Sequence, residues 1–113
     1  MSDLKAGQVR VLKLVSGEEI VGTIKEVRRE FDGNFLVPKV VVVEETIALV
    51  QQIDQTGRPV PSIFPWGNST KTQKEISLNH VLYHGEPVDN LLEEYNRIFS
   101  KIQQPSKGLV LPE

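Results

Sequence analysis

VRVLKLVSGEEIVGTI, Val9 to Ile24, holds two β-strands and the turn between them. Apolar residues fill Val9–Val15, Ser16-Gly17 supplies the turn, and apolar residues resume at Ile20. Val9 and Val11 lie on one parity of the first strand, Leu12 and Leu14 on the other. A strand with one wet face alternates, so mixed parity predicts a strand that bends or is covered on both faces. In the second strand Ile20, Gly22 and Ile24 share a face. A glycine in mid-strand predicts sharp curvature or close backbone approach. The sheet expected from this stretch is strongly bent.

Outward from it, the second strand spans Glu19–Arg29, and Asp32-Gly33-Asn34 is a hairpin signal. A third strand covers Phe35–Val43, with Pro38 at a bulge or edge and Val40–Val43 buried on both faces. A fourth covers Thr46–Ile53. Residues 54–74, with Pro59, Pro61 and Pro65, read as a long loop with a short strand near Ser62–Trp66. Loops of that length are often functional. Glu75–Tyr83 is the fifth strand, and Gly85–Pro87 breaks it. From Val88 the period changes: Val88, Leu91, Leu92, Tyr95, Ile98, Phe99 and Ile102 form one helical stripe. The helix is expected over about 88–103, with a tail at 104–113 in which Leu109-Val110-Leu111 could extend a sheet edge.

A length of 113 residues suits one domain, and 39% hydrophobic with 25% charged residues fits a globular chain. The chain contains no cysteine, which excludes disulfides, thiol nucleophiles and thiolate metal sites. No apolar run approaches a membrane span, and MSDLKAGQ lacks a signal-peptide core, so a cytoplasmic, soluble protein is expected. A net charge of −2 argues against a broad cationic surface for nucleic acid. Glu18 and Glu19 are adjacent on a strand and point to opposite faces, so they cannot act as a carboxylate pair. His80 and His84 are four residues apart on one strand, roughly 13 Å, too far to share a metal. No catalytic constellation, metal set or cofactor motif stands out. The expectation is a protein that is not an enzyme.

Two motifs carry a resemblance. Leu14, Gly17, Ile20, Gly22 and Ile24 match the spacing of the first Sm motif, and Val81, Leu82, His84, Gly85 and Val88 resemble the second, with histidine where arginine is commonest. The chain therefore resembles the Sm-like (LSm) family over about residues 9–88. The C-terminal helix, Pro65-Trp66 and Tyr95-Asn96 are similar to Sm-like proteins of marine cyanophage type. What the resemblance implies is a mainly β fold, an Sm-like (SH3-type) five-stranded, strongly bent antiparallel barrel with a C-terminal α-helix. The barrel is expected at about 9–84. It further implies a cyclic homo-oligomer, joined through strands four and five, that binds single-stranded RNA, in the host cytoplasm if phage-encoded. The family's pocket aspartate and asparagine have their nearest equivalents in Asp32 and Asn34, which come later and closer together than the pattern requires.

Candidate RNA-binding residues are thus His84 and Gly85, Asp32 and Asn34, Trp66 as a stacking platform, and Arg28 and Lys71 as phosphate contacts. Each has a plainer reading: a turn histidine, a loop tryptophan packed on the barrel, solvated charges. His80, on the apolar parity, reads as a core or interface histidine. Val88, Leu91, Tyr95, Ile98 and Phe99 form the candidate oligomer interface, or else pack on the barrel itself. The alternative function is a structural or protein-interaction oligomer of phage origin with no nucleic-acid role. A monomeric SH3-like peptide-binding module is the third.

Overall fold

The computed structural model describes residues 4–67 and 73–99. It is mainly β: a strongly curled antiparallel sheet with one C-terminal helix, an architecture consistent with an Sm-like bent barrel. The strands are β1 (Val9–Leu14), β2 (Glu19–Asp32), β3 (Phe35–Ile53), β4 (Pro59–Pro65), β5 (Gln73–Ser77) and β6 (Val81–Gly85); a 3-10 turn (Leu78–His80) links the last two, and α1 runs Asp89–Ile98. Their order is β4-β3-β2-β1-β6, with β5 also on β3. Because β4 pairs with Ile47–Ile53 and β5 with Val40–Glu44, the two occupy one flank of β3. Six segments thus fill five strand positions.

The opening stretch folds as its pattern dictates. Leu12 and Leu14 enter a core with Ile20, Ile24, Val41, Val43, Ala48 and Ile76, while Val9 and Val11 on the opposite parity pack with Val21, Ile47 and Tyr95. Both faces of β1 are covered, which is why its apolar residues do not alternate. Gly22 lies where the opposite strand approaches closely. A Cβ there would meet Thr46 Cγ2 at 2.9 Å, and the β2–β3 register shifts beside it, between Val21 and Thr23. Glu45, in the shift on the opposite strand, adopts φ 54, the left-handed region.

Four expectations change. The third and fourth strands are one, because β3 passes Glu44-Glu45-Thr46 by a bulge instead of turning. The short strand expected near Ser62–Trp66 is the longer β4, Pro59–Pro65, closed on β3 by the Asp54–Arg58 turn, whose Asp54 Oδ1 accepts from the backbone N–H groups of Thr56 and Arg58. The fifth strand is split by the 3-10 turn, which places His80 there, exposed, with its carbonyl accepting from Val15 N–H. His84 and Gly85 end β6 rather than following it. The helix is described to Ile98; Ile102, Lys71 and the 104–113 tail lie outside the described residues.

Candidate functional site

β1 carries Arg10 on the face that bears Leu12 and Leu14. Its β2 partner is Gly22, so no side chain stands opposite it. Arg10 is 4% exposed. Its Nη2 donates to His84 Nδ1 at 2.7 Å, and its Nε has no hydrogen-bond partner among the described residues. Arginine has no lone pair to offer, so His84 Nδ1 must be the acceptor and the imidazole proton sits on Nε2. A hollow of ≈ 300 Å³ opens beside Arg10, lined by Gln8, Val9, Glu86, Pro87, Asp89 and Leu92. Its rim therefore bears two carboxylates around one guanidinium.

Trp66 is held by backbone. Its backbone N–H donates to the Thr46 carbonyl at 3.2 Å, and Thr46 Oγ1 donates to the Trp66 carbonyl at 2.8 Å. Its indole N–H reaches Glu18 Oε2 at 3.2 Å. The ring stands between two open hollows, one of ≈ 370 Å³ with Glu44, Glu45, Thr46, Lys74 and Phe99, the other of ≈ 320 Å³ with Val15, Ser16, Glu75 and His80. The first hollow carries two carboxylates against one lysine, the second a single carboxylate, Glu75.

The remaining candidates lie apart from these. Asp32 and Asn34 flank Gly33 at the β2–β3 hairpin tip. Asp32 is ten residues beyond Gly22 on β2, up to roughly 33 Å along the strand. The Asp/Asn pair and His84 thus do not converge on one pocket. Arg28 sits between two acids, 3.0 Å from Glu75 and 3.4 Å from Glu26. The Glu75 hydrogen bond and charge raise its pKa further above the usual arginine value. Both pairs lie at the surface, where ion pairs are weak.

Helix α1 packs on its own chain, one of the two placements expected for its stripe. Tyr95 is 2% exposed, buried in its own chain against Val21 and Ile47, with Leu91 and Phe99 packed beside it. Its hydroxyl donates to the Glu45 carbonyl at 2.7 Å and accepts from Thr23 Oγ1 at 2.8 Å. Burial pushes the phenol up to about 12. Of the five candidate interface residues, Val88 and Ile98 stay exposed. Among the described residues no cluster of histidine and acidic side chains could hold a metal, and no helix is long and apolar enough to cross a membrane.

The Arg10–His84 contact was missed from sequence because 74 residues separate the two. An arginine on the Leu12 parity was the available signal. A comparison with protein-family models and with curated proteins finds no match to this chain.

Proposed function

We propose that the chain is a self-assembling structural or protein-interaction module of Sm-like architecture, without catalytic activity. The observation that supports this most is the apolar surface its own fold leaves wet. Phe31 is 75% and Phe35 74% exposed, Leu36 beside them is exposed, and so are Val50, Val60 and Phe64 at the other end of β3. Contiguous patches of this kind mark association surfaces. The acidic rims of the hollows, the acids beside Arg28 and the net charge of −2 argue in the same direction, away from a phosphate backbone. The test is mass in solution at micromolar protein. A homo-oligomer supports the reading and a monomer overturns it.

Single-stranded RNA in such an assembly is the second reading, favoured by the buried guanidinium beside His84. Anisotropy with labelled oligo-U and oligo-A decides it. Binding that weakens with salt and with His84→Ala supports RNA handling; no binding at tens of micromolar protein removes it.

A further inference from the structure

We infer that the hollow beside Arg10 binds a free amino acid with an aliphatic side chain, its carboxylate on the Arg10 guanidinium and its ammonium group at Glu86 and Asp89. The inference is independent of self-assembly. It starts from a buried charge without a counter-charge. A guanidinium withdrawn from water ordinarily stands against a carboxylate. Arg10 is 4% exposed, and its hydrogen-bond partner is a ring nitrogen, His84 Nδ1, which carries no negative charge. Among the described residues Arg10 forms no ion pair, and its Nε has no acceptor.

The fold leaves room beside this charge. The hollow measures ≈ 300 Å³, and pockets for small ligands start at about 300 Å³. One wall is the start of β1; the other is the chain entering α1, with Asp89 and Leu92 of its first turn. Val88, the N-cap of α1, makes no side-chain capping bond. The positive end of the helix therefore adjoins the hollow and adds to the pull of Arg10 on an anion.

The placement of charge selects the ligand. Glu86 and Asp89 line the same hollow, both exposed, and neither forms an ion pair with Arg10. The positive group is thus buried and the negative groups are wet. A phosphate, with no cationic group of its own, meets two carboxylates of its own sign at the rim. A zwitterion satisfies both ends: its carboxylate accepts from the guanidinium and its ammonium donates to the rim carboxylates. Val9, Pro87 and Leu92, each half-buried, give an aliphatic side chain an apolar wall. A residue inside a peptide or at its end lacks one or both of the two charges, so the free amino acid is the class that fits.

The test is an NMR titration of the isotope-labelled full chain with L-leucine, following the Arg10 Nε–H and Asp89 amide signals. A ligand this small should bind with a Kd of about 1 mM. Two half-ligands, isocaproate without the ammonium group and L-leucinamide without the carboxylate, should each bind about tenfold or more weakly. Arg10→Met, its melt confirming the fold, should weaken leucine by about tenfold or more, and so should Glu86→Gln/Asp89→Asn, which should leave isocaproate binding undiminished. Isocaproate or inorganic phosphate binding the native chain as tightly as leucine would make the hollow a plain anion site and overturn the inference. So would signals that do not move with leucine at about 50 mM, or leucine binding that survives Glu86→Gln/Asp89→Asn or a folded Arg10→Met.

Discussion

Glu45 is the residue on which the bend turns. A non-glycine in the left-handed region costs about 1–2 kcal/mol, and the Tyr95 hydroxyl donating to its carbonyl holds it there. Tyr95→Phe removes that donor and the acceptor of Thr23, and should cost about 1–3 kcal/mol, read as a lower urea midpoint. The same hydroxyl sets an alkaline limit. Its folded pKa is raised to about 12 from 10.0, so the folded state holds the proton more tightly. The associated stability is fully present below pH 10 and is lost as pH rises towards 12. A flatter alkaline loss in Tyr95→Phe is the check. Gly22→Ala drives a methyl into Thr46 Cγ2 and should lower stability by about 1–3 kcal/mol. At Arg10 the sign reverses. A buried guanidinium with an orphaned Nε is poor value for stability, so Arg10→Met should leave the melting temperature unchanged or higher, whereas His84→Ala, which strips Arg10 of its acceptor, should lower it. Gly22 was legible because glycine in mid-strand has few other uses. The Arg10–His84 contact was not, because no local pattern ties residue 10 to residue 84.

At the scale of elements, patterns that depend on near neighbours read correctly. Ser16-Gly17 turns the chain, with Gly17 at φ 98, and Asp32-Gly33-Asn34 makes a two-residue hairpin in which Gly33 has φ 64. The helical period after Val88 gives α1. Glu44-Glu45 looked like a break because two acidic residues separate the run ending at Val43 from the strand starting at Thr46. In the fold they form a bulge, with Thr46 buried and bonded to Trp66. Pro59, Pro61 and Pro65 looked like loop, yet their common parity puts every missing N–H on the free edge. Helix α1 covers Val9, Val11, Val21 and Ile47. A chain ending at Gly85 uncovers that face and should be insoluble on expression; a soluble, folded product of that length would show the helix to be dispensable.

The described residues reach 55 Å along the longest axis, with exposed apolar residues at each end of β3. Size and composition announced one small globular domain, and the mixed parity of Val9–Val15 with Gly22 in mid-strand announced its curl. They did not announce the two-stranded end of β2–β3, since Phe31 fell beyond the second strand's expected end at Arg29, and Phe35 and Leu36 read as ordinary strand residues until the partner strands are seen to stop short of them. Sedimentation equilibrium of the native chain, at concentrations from one to a hundred micromolar, tests self-assembly most directly. A mass that is a fixed multiple of 12.7 kDa and falls on dilution is the expected result. A mass of one chain across the whole range would contradict it.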